Sequence, residues 1–231
     1  MFEISPTEWT AILLSLRVAI IATLVATPFG IALAWLLARR EFWGKSAVDA
    51  LVHLPLVLPP VVTGYLLLLT LGRRGLVGAW LADHLGIVFA FRWTGAALAC
   101  GVMSFPLLVR PIRLSIEAID RRLEQAAGTL GAAPWRVFAT ITLPLALPGV
   151  LAGMVLGFAK AIGEFGATIT FVSNIPGETQ TISSAIYSLI QTPDGDTAAL
   201  RLVLISIVIA MSALIASEWF ARRATQRLHG N

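Results

Sequence analysis

The chain has 231 residues, of which 57% are hydrophobic and only 13% charged, about half the charged share of a soluble domain. With a net charge of +4 and a mean hydropathy of +0.83, it cannot be a water-soluble globular domain, because so few charges cannot cover its surface and the apolar surplus must face lipid. A nucleic-acid-binding surface is excluded as well, since the basic residues fall in short hydrophilic gaps between long apolar runs.

The N-terminal segment carries Glu3 and Glu8 and lacks the positive n-region of a signal peptide. The apolar run that follows, about Trp9 to Ala38, is too long for an h-region. It reads as a retained span, long enough to tilt or to begin as an interfacial segment. Arg17 lies inside this run, where its guanidinium can snorkel to the outer interface. Arg39, Arg40 and Lys45 occupy the next gap. There Gly44-Lys45-Ser46 resembles the end of a phosphate-binding loop, but the leading glycine would fall at Arg39 and the segment follows no strand, so it carries no nucleotide site.

The second span, about Ala47 to Leu71, is irregular, with Pro55, Pro59, Pro60 and Gly64. Each proline removes a backbone donor and pushes the preceding residue out of helical geometry. In lipid such a break survives only where it is buried in protein or lines a cavity, so a packing kink and a pathway role are both open. Residues 75–91 are apolar enough to lie in the interface or to re-enter, but Asp83 and His84 interrupt them, and a sixth span here would break the charge pattern. The third span, about Trp93 to Ile112, contains the only cysteine, Cys100, which leaves no disulfide framework, and repeats the proline pattern at Ser104-Phe105-Pro106 and Pro111.

A basic loop, about residues 113–140, leads to the fourth span, about Ile141 to Ile162. Leu114 to Leu130 is helix-compatible, and Gly131 and Pro134 supply a stop and a turn. Alanines and glycines give this loop a small-residue face that lets another surface approach the backbone. Lys160 and Glu164, spaced i, i+4, share a helix face and can pair, as a structural clasp or as part of a route for an ion. The fifth span runs from about Leu200 to Phe220.

Charge orients these spans. The gaps after spans one and three and the C-terminal tail hold Arg39, Arg40, Lys45, Arg110, Arg113, Arg121, Arg122, Arg136, Arg222, Arg223 and Arg227, against Arg73, Arg74, Arg92 and Arg201 on the other side. The positive-inside bias predicts an N-terminus outside and a C-terminus in the cytoplasm. His53, His84 and His229 are too scattered for a metal motif, and the spans hold no Ser/His, paired-Asp or metal-ligand arrangement, which argues against a membrane-embedded enzyme. With no internal repeat or low-complexity segment, residues 1–231 read as a single all-α membrane domain of about five transmembrane helices, with a core of about residues 9–220.

The basic loop is the most specific signal. Ala126-Ala127, three residues to Gly131, and nine more to Ile141-x-Leu143-Pro144 resemble the EAA motif of binding-protein-dependent ABC transporter permeases. The motif's glutamate position is Gln125, with Glu124 immediately before it. The run His53 to Val62, the run Gly163 to Thr179 and Tyr187 to Pro193 resemble the molybdate permeases of that superfamily, with sulfate and tungstate permeases as neighbours. The resemblance runs from about Pro6 to Trp219. It implies the type I importer permease fold and a bacterial inner-membrane location. It also implies a homodimer around a central pathway for a tetrahedral dianion, two ATPase subunits that bind ATP and Mg, and a periplasmic molybdate-binding protein. No cofactor is expected in this chain. Glu124, Gln125, Ala126, Ala127 and Gly131 would form the coupling surface for the ATPase. Thr63, Gly64, Ser104, Glu164 and Thr168 are candidates for pathway or gate, Gly64 because glycine permits close helix approach and the hydroxyls because they can donate to an anion. The rival reading, an ion-coupled secondary transporter, would need more spans and more intramembrane charge.

Overall fold

Lipid forces backbone polar groups to pair within each segment, so apolar runs of this length can only be helices. The computed structural model describes the backbone of residues 4–229 and the side chains of residues 4–215. Every regular element among these is helical. Glu3 lies outside the described residues, as do the side chains of Phe220, Arg222, Arg223, Arg227 and His229.

Helix α1 (Pro6–Arg39) is one 34-residue element that passes through Pro28 without breaking. Ser5 starts it with a capping box: the Glu8 N–H donates to Ser5 Oγ at 3.2 Å, and the Ser5 N–H donates to Glu8 Oε2 at 2.6 Å. The second span is two helices, α2 (Lys45–Val57) and α3 (Pro60–Leu71), bent by 115°. Pro59 holds Leu58 in extended geometry and Pro60 opens α3 at its first position, where its missing N–H costs nothing. The kink expected from the prolines is thus a full break. Helix α4 (Leu76–Leu85) occupies the stretch between spans two and three; at ten residues it is about 15 Å long, too short to cross.

Helix α5 (Trp93–Glu117) runs through Pro106 and Pro111. The helix-compatible stretch 114–130 divides at residues 118–120, after which Asp120 caps α6 (Arg121–Thr129), its carboxylate accepting the Arg122 N–H at 2.9 Å. Then come α7 (Pro134–Val137), one π turn (Phe138–Thr142) and α8 (Leu143–Ile162). Pro144 has no N–H for the carbonyl four residues back, which is the ordinary cause of such a local widening. Two short helices, α9 (Gly166–Val172) and α10 (Ile182–Leu189), precede α11 (Asp196–His229). Among the described residues, four stretches are long and apolar enough to cross a membrane, or five if α2 and α3 count as one broken span.

Helix α5 is the central post, between α1 and α8. Leu108, fully buried, is the keystone. A β-carbon on Gly30 of α1 would lie 2.0 Å from Leu108 Cδ2, and one on Gly153 of α8 would lie 2.5 Å from the Leu108 carbonyl oxygen. Gly149 faces Ser115 and Pro111 in the same way, so Gly149, Gly153 and Gly157 form a small-residue stripe that seats α8 on α5. Without a hydrophobic drive between helices in lipid, such close backbone contact is what holds the bundle together.

Candidate functional site

Helix α6 has no buried residue, so apolar packing does not fix it. Polar groups do. Arg39, at the end of α1, brings Nε to 3.0 and 3.2 Å from the two carboxylate oxygens of Glu124. Its Nη2 donates to the Ile119 carbonyl at 3.2 Å. The Thr142 hydroxyl, in the π turn, donates to Glu124 Oε1 at 2.6 Å. Arg121 Nη2 donates to the Ala38 carbonyl at 3.3 Å, tying the start of α6 back to α1. These groups line a cleft of about 370 Å³ walled by Trp35, Arg39, Arg121, Glu124, Phe138 and Thr142.

Gln125 and Ala126 face outward and Ala127 is half-buried. Glu124, one residue before the motif's glutamate position, therefore makes the internal contact and leaves the Gln125 side chain to solvent. Beyond them α6 closes with a Schellman turn: the Ala132 N–H donates to the Ala127 carbonyl at 3.1 Å and the Gly131 N–H to the Gly128 carbonyl at 3.0 Å. Gly131 has φ +83°, which explains glycine at this place in the motif. The outer surface of the element carries Leu130, 88% exposed, and Trp135, 69% exposed.

The five pathway candidates lie elsewhere. Thr63 and Gly64 sit on α3 where it crosses α9, and Gly64 meets the Ala167 backbone directly. Thr63 is buried and its hydroxyl has no hydrogen-bond partner among the described residues. Thr168 is buried on α9, its hydroxyl donating to the Phe165 carbonyl at 2.9 Å. Glu164 stands in the break between α8 and α9, almost fully buried, with Lys160 Nζ 2.6 Å from Oε2 and the Ala167 N–H donating to Oε1 at 2.9 Å. Because α8 ends at Ile162, this pair bridges a helix end instead of decorating one helix face. Ser104 is separate: fully buried within α5, it donates to the Gly101 carbonyl at 3.2 Å and lies beside Gly157.

Arg17 is exposed and its guanidinium stacks 3.8 Å above the Trp93 ring, so it is held by an aromatic partner and not only by the interface. Glu8, besides its capping role, is paired with Arg201 Nη2 at 2.9 Å, joining α1 to α11. Among the described residues, no three His, Cys, Asp or Glu side chains gather as metal ligands. Neither Arg39 nor Thr142 carries a sequence signal for this role: Arg39 reads as an orienting charge, and Thr142 as the unspecified residue between Ile141 and Leu143.

A broken second span, a central glycine-seated helix pair and a polar-clamped helix exposed between the third and fourth spans define a permease of ABC importer architecture. The fold is similar to a chain in a crystal structure of a bacterial alginate ABC transporter in complex with an alginate pentasaccharide-bound periplasmic protein, with a TM-score of 0.75 and 22% identity, covering 96% of this chain and 81% of that one. Residues 26–226 match the family of binding-protein-dependent transport system inner membrane components, and the chain belongs to that family. It is 63% identical to the molybdenum transport system permease protein ModB of Escherichia coli K12, over 95% of this chain and 96% of the relative. It is 58% identical to ModB of Haemophilus influenzae, over 96% of both.

Proposed function

We propose that this chain is the membrane subunit of an ATP-driven importer of molybdate, working as a homodimer whose two copies enclose the pathway. It does no chemistry of its own. ATP and Mg belong to two ATPase subunits that dock on α6 and α7, and a periplasmic binding protein delivers the cargo. Positive-inside charge supports an N-terminus outside and a C-terminus in the cytoplasm, with the docking element facing the ATPases. The observation that carries this reading is the exposed apolar tip of that element. Leu130 and Trp135 stand in solvent on a part of the chain that is clamped from within by Glu124, as a rigid knob for a groove would require.

The cargo assignment rests on the high identity to molybdenum permeases over nearly the full length. Uptake of radiolabelled molybdate by a permease-deletion strain carrying this chain tests it. Uptake restored and insensitive to equimolar sulfate supports molybdate, and competition by sulfate at equal concentration overturns it. Replacing Thr63, Ser104 and Thr168 together by alanine tests the pathway candidates. Unchanged uptake with intact assembly removes them.

A further inference from the structure

The links of α6 to the bundle are weak as covalent joints. On one side the chain leaves α5 through the break at residues 118–120; on the other it turns at Gly131, whose φ is +83°, and then widens into the π turn. None of α6 is buried. A push on such a helix would be absorbed by its joints unless something bridges them. Arg121, bonded to the Ala38 carbonyl, reaches α1 alone; the bridge to both sides is the Glu124 carboxylate, which receives Arg39 from α1 and Thr142 from the base of α8. The Arg39 side chain is only 8% exposed and that of Glu124 18%, so these charge-assisted bonds are sheltered from water and salt.

We propose that Glu124 is a positioning residue that locks α6 to the end of α1 and the start of α8, so that displacement of α6 reaches two spans at once. This rests on the reading of α6 and α7 as the ATPase-docking element. Glu124 does not touch the ATPase in this scheme; Gln125, exposed beside it, is the polar side chain left for that partner. Arg39 and Thr142 act through Glu124. Removal of any one of the three should free α6 without disturbing the glycine-seated core.

The test has two arms on the full chain in lipid nanodiscs. In the first, spin labels at the exposed positions Glu41 and Thr129 report the distance from the end of α1 to the end of α6; Cys100 is 1% exposed and stays unlabelled. The otherwise unaltered chain should give one narrow distance distribution, and Glu124→Ala and the near-isosteric Glu124→Gln should both lose it. A distribution that stays narrow in both variants overturns the clamp. This arm needs no ATPase, so it stands even if the docking reading fails.

In the second arm, the complex purified through a tag on this chain is assayed for molybdate moved per ATP hydrolysed. Glu124→Gln, and Thr142→Val as an independent probe, should each lower that ratio about tenfold, the size of one lost charge-assisted hydrogen bond, with no added loss in the double variant. A merely structural role would lower the amount of complex and leave the ratio alone. Broadened distances with an unchanged ratio would therefore overturn the transmission of force through Glu124. Absence of any ATPase from the purified unaltered chain would overturn the docking reading instead.

Discussion

Gly64 and Ala167 meet backbone against backbone: a β-carbon on Gly64 would lie 2.5 Å from the Ala167 carbonyl oxygen and 2.9 Å from its Cα. One turn earlier the contact is returned, since a β-carbon on Gly166 would lie 2.7 Å from Cβ of Pro60. The half-span α3 and the short helix α9 are therefore one packed unit, formed by segments about a hundred residues apart in the chain.

Gly64→Ala should force the two helices apart, because backbone cannot rotate out of the way as a side chain can. Overpacking of this kind costs about 1–3 kcal/mol. Gly101→Ala is the matched control: its β-carbon would meet only the Ala22 carbonyl oxygen, at 3.8 Å, and it gains helix propensity. The thermal midpoint in detergent should fall for the first and hold or rise for the second. Equal midpoints would mean that the α3–α9 contact is not tight.

Thr63 sits beside this contact with a buried hydroxyl that meets no hydrogen-bond partner among the described residues. A buried unsatisfied polar group costs about 1–3 kcal/mol, so Thr63→Val, which keeps the shape, should stabilise the chain. If the hydroxyl is kept for the cargo, the same variant should also slow molybdate uptake. A more stable chain with undiminished uptake would take Thr63 off the pathway while leaving the packing account intact.

The spans were legible because lipid demands about 20 apolar residues for each crossing, a signal strong enough to stand without tertiary information. The break at Pro59-Pro60 was legible as an interruption, but not its 115° angle, which depends on α3 packing against α9. Helices α9 and α10 were not visible at all. At seven and eight residues they are too short to fill a hydropathy window and exist through their contacts with α3, α1 and α11. Gly131 was readable as a helix stop because its role is local. The partner of Glu124 was not: Arg39 lies 85 residues away, and no periodicity in a single sequence connects them.

Lys160 and Glu164 should behave as an asymmetric pair. The Glu164 side chain is 1% exposed, its oxygens satisfied by Lys160 and the Ala167 N–H, whereas Lys160 is 29% exposed. Removing Lys160 leaves a buried carboxylate uncompensated, at about 3–5 kcal/mol, whereas Lys160 freed of its partner can reach water. Lys160→Met alone should lower the thermal midpoint sharply, Glu164→Gln less so, and the double variant should recover most of the Lys160→Met loss. If the double variant is stable but imports no molybdate, the pair serves the route as well as the fold; if uptake is normal, it is a clasp only.

Ala126 and Gly131 separate the docking surface from the turn that shapes it. A β-carbon on Gly131 has nothing within 4 Å, and Ala126 is exposed on the face of α6 turned away from Glu124. Gly131 has φ +83°, and any larger residue there is strained by about 1–2 kcal/mol whatever the space around it. Loss of coupling in Gly131→Trp would thus confuse a deformed turn with a blocked groove. Gly128 lies inside α6, where Gly128→Ala should firm the helix by about 1 kcal/mol and leave ATPase capture intact. Ala126→Trp adds bulk on the exposed face of α6 with no backbone strain, and should abolish co-purification of the ATPase while the chain still inserts and folds. Capture that survives Ala126→Trp would put the ATPase on a different face of α6.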